Sequence, residues 1–255
     1  MRPLEFLVEP ESLLVTWQAV DERAEDRTRR VVATVERSSD GEGAVFRYAV
    51  GTGDFEAARS AGFKGLPSFS LSEVETTGPA VIESLMRRLP PRKREDFIEF
   101  LSRHRLPARF ELSDLALLAY TGAKLPSDGI SFVPVFPRNA ACLDLLVEVA
   151  GLRHVFNGDP SSIRIGDVVT FSGCPNNMFD PDAVGVFWHG MHLGYVNRAM
   201  RSQFNDWMAS GALTAEVERI NGKPERPLVY LRVKVRKQGG ERTAVPSGDS
   251  LCCAF

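Results

Sequence analysis

The segment from Pro175 to Ala183 places several potential ligand-binding residues in one short loop that contains two prolines. Asn177, Phe179 and Asp180 offer an amide, an aromatic ring and a carboxylate. A carboxylate can accept a hydrogen bond from a hydroxyl group, and an aromatic ring can stack on a nucleobase. The same aspartate could instead form an Asx turn that shapes the loop, and the phenylalanine could belong to the core. The loop is therefore a candidate binding element with a structural alternative.

Other reactive groups form weaker patterns. His189 and His192 suggest a metal pair, but they straddle a predicted hairpin turn and have no suitably spaced third ligand. Gly51-Thr52-Gly53 lacks the third glycine and the lysine of a phosphate-binding loop. The spacing of the four cysteines fits neither a disulfide framework nor a four-ligand zinc site. Since no catalytic triad or Cys-His pair can be assembled, we expect no enzymatic activity and no cofactor.

Charge limits the way in which the chain can bind a polyanion. The formal net charge is -2, from 31 basic and 33 acidic residues, so any binding of nucleic acid must be local. One basic run, Arg87-Arg88 with Arg92-Lys93-Arg94, could contact nucleic acid or an acidic partner, or could simply be a solvated face. Because acidic residues and prolines interrupt residues 1–14 and no apolar run approaches about 20 residues, we expect a soluble, cytoplasmic protein.

The first half of the chain predicts an α+β domain over residues 1–138. Strands are predicted by runs rich in β-branched and aromatic residues. Helices are predicted by apolar residues at helical spacing, with Asp54 and Ser113 as caps and Gly122 as a C-terminal stop. The strands are Leu13–Val20, Arg30–Arg37, Ala44–Val50 and a short Phe132-Val133 strand, and the helices are Asp54–Arg59, Pro79–Leu89, Arg94–Arg105 and one after Ser113.

The second half predicts a smaller, mostly-β domain over residues 139–237, followed by a flexible tail, 238–255. Ala140–Ala150 is either a short helix or the first strand. A hairpin turn at His189-Gly190 and another at Asn221-Gly222 join alternating strands, and Asn197 caps one helix that Gly211 ends. The predicted strands are Val168–Phe171, Ala183–Trp188, Leu193–Val196, Leu213–Ile220 and Leu228–Val235.

The loop and its flanking elements form an ordered pattern. An apolar strand precedes Pro175-Asn176-Asn177, Asp180 and Ala183 follow, and a further strand pair ends in Gly194-Tyr195-Val196 before a helix. This order resembles the HIRAN family, which reads Pro-Asn-Asn-Pro-Tyr-Asp, then Asn-Ala-Ile/Val, then Gly-His/Tyr-Val/Leu. Upstream, Val149–His154 resembles the first strand of that family. The resemblance covers about residues 143–237 and implies a small barrel of the oligonucleotide-binding type with one or two short helices.

The HIRAN resemblance also implies a ligand. In the best-described member of that family, the barrel captures the 3′-hydroxyl end of single-stranded DNA, with a loop aspartate on the hydroxyl and aromatic residues on the bases. Arg198, at the predicted helix start, could bind a terminal phosphate. Met178 replaces the usual proline and Phe179 the usual tyrosine, so we expect weaker binding than in that member. The residues to which the resemblance gives DNA-binding roles are Arg153, His154, Asn177, Phe179, Asp180 and Arg198.

A fainter resemblance covers Phe46 to Val135. Phe46-x-Tyr48, Pro67-x-Phe69-x-Leu71 and the segment Asp114–Gly122 are similar to the N-terminal subdomain of HipA-type toxin kinases. This resemblance implies an interaction or regulatory role. The chain has no Asp-x-x-x-x-Asn with a following metal-binding aspartate, so we do not expect kinase activity.

Two hypotheses follow. In the first, the protein is a nucleic-acid-binding accessory factor in DNA repair or phage defence that captures single-stranded DNA. A helicase, nuclease or toxin would then act as its partner in trans. In the alternative, the protein is an interaction module of the toxin–antitoxin or defence-system type, with the HIRAN region as a scaffold that binds no DNA.

Overall fold

The computed structural model describes residues 2–21, 28–39, 43–178, 180–223, 226–237 and 245–246. The strands are β1 Phe6–Leu7, β2 Ser12–Trp17, β3 Arg30–Arg37, β4 Ala44–Tyr48, β5 Glu75–Gly78, β6 Ile130–Val135, β7 Cys142–Glu148, β8 Val168–Gly173, β9 Val184–Trp188, β10 Met191–Tyr195, β11 Leu213–Lys223, β12 Arg226–Arg236 and β13 Val245–Pro246. The helices are α1 Gly53–Ser60, α2 Pro79–Met86, α3 Phe97–Arg103, α4 Asp114–Thr121, α5 Leu152–Val155 and α6 Arg201–Ala209.

The described chain forms two compact units. One unit is Glu9–Pro137, and the other combines residues 2–8 with the described residues from Arg138 onward. The first mixes helices with an antiparallel sheet, whereas the second is mostly strand. The predicted fold class, an α+β domain followed by a small β-rich one, is confirmed.

The unit Glu9–Pro137 is built on a five-stranded antiparallel sheet in the order β5-β4-β3-β2-β6. Ser113 caps α4 as predicted, and Gly122 ends it in the left-handed conformation. The predicted cap of α1 was wrong, because Thr52 Oγ1 accepts the Phe55 N–H while Asp54 accepts the Val31 N–H instead. The core of the sheet includes five large strand side chains that are at most 2% exposed: Leu13, Val15, Val35, Phe46 and Tyr48.

The second unit is a six-stranded antiparallel sheet in the order β10-β9-β8-β11-β12-β7. Its two edges meet, because Ala150, just beyond β7, pairs with Tyr195 of β10 through two backbone hydrogen bonds of 2.8 Å. This pairing closes the sheet into a barrel. Every second side chain of β12 points into the barrel interior and is at most 1% exposed: Val229, Leu231, Val233 and Val235.

Gly194 makes that closure possible. Its φ of 154° is rarely adopted by residues with a side chain, and a Cβ atom there would lie 2.5 Å from the Ala150 carbonyl oxygen. The backbone of β10 can therefore approach the end of β7 only if residue 194 has no side chain. The segment Gly194-Tyr195-Val196 thus contributes to the architecture of the barrel.

Two local predictions in this unit were wrong. Asn221-Gly222 is not the hairpin turn, because the two residues lie inside the β11–β12 ladder and pair with Leu228 and Pro227. Residues after Ala150 do not continue a strand, because Gly151 has a φ of 72° and the short helix α5 follows. Of the predicted flexible tail 238–255, residues 245–246 pair with β1, and the rest lies outside the described residues.

Charged side chains of the barrel bind the N-terminal residues 2–8. Asp144 has no exposed surface; its Oδ2 accepts the Glu5 N–H at 2.9 Å, and Arg236 Nη2 donates to Oδ1 at 2.5 Å. The Arg236 guanidinium also lies 4.4 Å from the centre of the Phe6 ring. Arg232, only 3% exposed, donates to the Pro3 carbonyl and to Glu218. Residues 2–8 therefore belong to the folding unit of the barrel.

Among the described helices, none has the length and apolar character needed to cross a membrane.

Replacement of Asp144 should loosen this attachment. We expect Asp144→Ala to lower the free energy of opening of β12 by about 2–3 kcal/mol, because a buried amide and a guanidinium lose their acceptor. Hydrogen exchange of the β12 amides measures this free energy. Asp206→Ala is the matched control, since Asp206 is half exposed and lies 3.7 Å from Arg138, and we expect a change within about 0.5 kcal/mol. If the β12 amides are equally protected from exchange in both variants, Asp144 does not attach residues 2–8 to the barrel.

Candidate nucleic-acid interface

The candidate loop connects β8 to β9 and is closed by its own hydrogen bonds. The Cys174 N–H donates to the Ala183 carbonyl and the Asn177 N–H to the Cys174 carbonyl, both at 2.9 Å. Asn177 Oδ1 then accepts the Asp180 N–H at 3.2 Å. The amide of Asn177 therefore braces the loop and fixes the position of the aspartate.

Asp180 is the charged centre of the loop. Its side chain is 15% exposed; Arg201 Nη1 donates to Oδ1 at 2.5 Å, and Arg198 Nε lies 3.4 Å from Oδ2. Asp180 Oδ1 also accepts the Asp182 N–H at 3.3 Å, which is the geometry of an Asx turn. The carboxylate thus shapes the loop and gathers two guanidinium groups at the same time.

The two arginines come from the helical segment that follows β10. Asn197 Oδ1 accepts the Ala199 N–H at 3.0 Å and starts a 3₁₀ turn over Arg198–Met200, from which α6 continues. Phe204 and Trp207 anchor α6 in the core. Arg198 and Arg201 are three residues apart and so lie on the same side of the helical segment. Sequence reasoning named Arg198 and missed Arg201, although this spacing could have indicated it.

A row of aromatic rings lies on the outer side of the β9–β10 hairpin. Because Val184, Val186 and Trp188 are buried in the barrel, the alternate residue Phe187 faces outward. The Phe187 and His192 rings are stacked with centroids 4.8 Å apart, and the His192 and Tyr195 rings meet edge to face at 4.7 Å. We call Phe187, His192 and Tyr195 the aromatic row. Sequence reasoning assigned none of them a binding role, although strand alternation could have identified Phe187.

The aromatic row reaches the start of the candidate loop. Tyr195 lies opposite Gly185 on β9, and a Cβ atom on Gly185 would come within 2.8 Å of the Cys174 sulfur. Burial raises the pKa of the Tyr195 phenol above its ordinary value, and nearby Cys174 raises it further. The ring is therefore neutral at and above neutral pH, so it offers a stacking surface that does not repel a phosphate.

Arg153 and His154 lie on α5, which begins directly after Gly151. They are exposed, and Arg153 Nε donates to His154 Nε2 at 3.2 Å. The expectation that they lie on a strand was wrong, since the chain turns into a helix at Gly151. Their link to the aromatic row is through Ala150, which pairs with Tyr195.

The structure brings part of the predicted set together. Asn177, Asp180 and Arg198 form one cluster through the contacts above, and Arg153 and His154 form a second group on α5. Phe179 lies outside the described residues. The neighbouring Met178 is 90% exposed. The aromatic row, rather than residues predicted from sequence, supplies the described stacking surface.

Of the histidine pair considered from the sequence, His192 belongs to the aromatic row. His192 Nε2 lies 3.0 Å from the Gly194 carbonyl oxygen, a hydrogen bond that orients the ring against Phe187. Within the described ranges, no three His, Cys, Asp or Glu side chains are grouped in a way that could hold a metal ion.

Comparison with known proteins finds similarity in the second half of the chain. The family model of the HIRAN domain matches residues 143–237. The chain is similar to the crystal structure of the HIRAN domain of human HLTF, at 19% identity over 36% of this chain and 76% of that chain, with a TM-score of 0.29. It is also similar to a crystal structure of a protein from Lactobacillus plantarum, at 24% identity over 37% of this chain and 97% of that chain, with a TM-score of 0.30. No curated protein matches the chain.

The matched residues run from within β7 to just past β12, so they include α5, the candidate loop and the aromatic row. The HipA-type resemblance of the first half stays a prediction. At a general level, the family match supports nucleic-acid binding. It confirms the HIRAN domain predicted for residues 143–237 of this chain.

Proposed function

We propose that the β-rich unit captures single-stranded DNA at a 3′-hydroxyl end. One observation carries the proposal. Asp180 pairs with Arg198 and Arg201, and Cys174, the first residue after β8, lies beside the aromatic row. A carboxylate, two guanidinium groups and stacked rings match the hydroxyl, phosphate and bases of a terminal nucleotide.

Asp180 retains the capacity to accept a further hydrogen bond. A carboxylate offers about four lone-pair positions. Oδ1 accepts from Arg201 and from the Asp182 N–H, whereas the contact of Oδ2 with Arg198 is long, at 3.4 Å. A 3′-hydroxyl could therefore donate to Oδ2, and an internal phosphodiester has no such proton. Arg198 and Arg201 would bind the adjacent phosphate while still oriented by the aspartate.

Stacking supplies the affinity that the net charge does not. Each base stacked on an aromatic ring contributes about 1–3 kcal/mol, and this contribution does not depend on salt in the way that a phosphate contact does. We assign this role to Tyr195 with His192 and Phe187, and, following the HIRAN resemblance, also to Phe179. Arg153 and His154 would contact the strand next to Tyr195, with Asn177 holding the loop.

The proposed site binds a strand and contains no assigned catalytic group. We therefore propose that a helicase, nuclease or toxin acting in trans processes the captured strand, within DNA repair or phage defence. A protein-interaction role is the alternative, and a full-length protein that binds no oligonucleotide would favour it.

The end selectivity of Asp180 can be measured with two oligonucleotides that differ only at the 3′ terminus. We expect wild type to prefer a 3′-hydroxyl strand over its 3′-phosphate by about tenfold, because a hydrogen bond to a charged group contributes about 1.5 kcal/mol. Asp180→Asn should abolish or reverse this preference, since it removes the anionic acceptor and frees two arginines for the phosphate. Fluorescence anisotropy with the full chain measures all four affinities.

Asp182→Asn is the matched control for the loop. Asp182 is 73% exposed and lies 3.9 Å from Arg201, so it should keep the wild-type preference. If wild type and Asp180→Asn show the same ratio of affinities for the two strands, capture of the 3′ hydroxyl is refuted.

The stacking role of Tyr195 predicts a different signature. We expect Tyr195→Ala to weaken binding by about five- to one hundredfold without changing the slope of affinity against salt, because a neutral ring is lost. Tyr195→Phe should retain most of the affinity. Met191→Ala is the control, since Met191 is an exposed apolar residue of the same hairpin. An unchanged affinity for Tyr195→Ala would remove the aromatic row from the binding surface.

A further inference from the structure

A separate concavity of about 490 Å³ lies in the unit Glu9–Pro137. Its lining includes four arginines, one aspartate and one aromatic ring: Arg87, Arg88, Arg94, Arg103, Asp96 and Phe100. Its volume falls in the range of pockets that accommodate a small ligand or a nucleotide unit. Neither the HIRAN match nor the function proposed above involves this part of the chain.

One of these arginines is a fixed part of the wall. Arg88 is 10% exposed, makes a bidentate pair with Asp128 at 2.6 and 3.0 Å, and donates through Nε to the Ala123 carbonyl. Its charge is therefore balanced by Asp128. Arg88 holds the end of α2 against the loop before β6, and so keeps the shape of the concavity.

The other arginines lie at the rim and are available for exchange. Arg94 and Arg103 are 59% and 68% exposed, and they pair with Asp96 and Glu99 at 2.6 Å. Arg94 holds the pKa of Asp96 below its ordinary value, as expected for a formed ion pair. Exposed pairs of this kind contribute at most about 1 kcal/mol, so a phosphate can replace the carboxylates at little cost. Arg87 is also exposed and adds a further guanidinium.

Phe100 gives the site its second recognition element. The ring is half-buried among other rings, with centroids 4.8 Å from His104 and 5.8 Å from Phe97, and part of it lines the concavity. Arginines that can bind phosphates beside a ring that can stack on a base fit a nucleotide unit better than an acidic peptide, which offers carboxylates alone.

We propose that this concavity is a second nucleic-acid site, which binds a single strand through phosphate contacts to Arg87, Arg94 and Arg103 and through a base against Phe100. The site is on a different folding unit from the HIRAN barrel and does not depend on capture of a 3′ end. It gives the basic run of the first half a specific role.

The test uses the full chain and a single strand of about 12 nucleotides with a 3′ phosphate, titrated at several salt concentrations. Arg94→Gln with Arg103→Gln should weaken binding several-fold at low salt. The slope of log affinity against log salt should become shallower by about 1.4, since each phosphate contact to a single strand contributes about 0.7. Phe100→Leu should weaken binding with an unchanged slope.

Arg109→Gln is the matched control. Arg109 is 90% exposed, pairs with Glu111 at 3.0 Å and does not line the concavity, so the variant should retain the wild-type slope. If the arginine double variant behaves like Arg109→Gln, the proposal is overturned. It is also overturned if the double variant no longer binds a polyglutamate peptide that wild type binds, but still binds the single strand with wild-type affinity.

Tyr195→Ala, measured in parallel, separates this site from the barrel. If Tyr195→Ala leaves binding unchanged while the arginine double variant weakens it, the barrel proposal fails and this one stands. If Tyr195→Ala weakens binding while the arginine double variant leaves it unchanged, this second site is overturned and the barrel proposal stands. A loss in both variants, with a change in salt slope for the arginine variant alone, supports two separate contacts.

Discussion

Two backbone hydrogen bonds between Ala150 and Tyr195 close the six-stranded sheet, and the candidate interface depends on them. They fix the start of α5, the helix that carries Arg153 and His154, next to the end of β10. These hydrogen bonds also require a glycine at position 194, because a Cβ atom there would collide with the carbonyl oxygen of Ala150. One backbone contact therefore determines both the architecture of the barrel and the arrangement of its outer surface.

Asp180 illustrates how one residue can serve structure and recognition together. Its carboxylate forms an Asx turn within the loop and also holds the guanidinium groups of Arg198 and Arg201. Orienting two arginines in advance reduces the conformational entropy that they would lose on binding a phosphate. Since the whole chain carries a net charge of -2, attraction to a polyanion comes from such local clusters.

The N-terminal segment shows that the folding unit is larger than the family match. The match begins at residue 143, yet Asp144 is satisfied by the amide of Glu5, and Arg236 lies against Phe6. A buried carboxylate without these partners would carry a large desolvation cost. For this reason residues 2–8 are part of the barrel in energetic terms, although they are far from it in sequence.

Local patterns in the sequence determined much of this protein. Strand alternation, the caps at Ser113 and Asn197, the His189-Gly190 turn and the loop motif around Asp180 all depend on residues within a few positions of one another. Only the tertiary structure decided the closure at Tyr195, the pairing of Arg201 with Asp180, the half-buried aromatic row and the arginine-lined concavity. These features join residues brought together by the packing of whole elements, and no local propensity encodes that packing. Gly151 marks the boundary between the two cases, because its left-handed backbone leads into α5 where the HIRAN resemblance had implied a strand as far as His154.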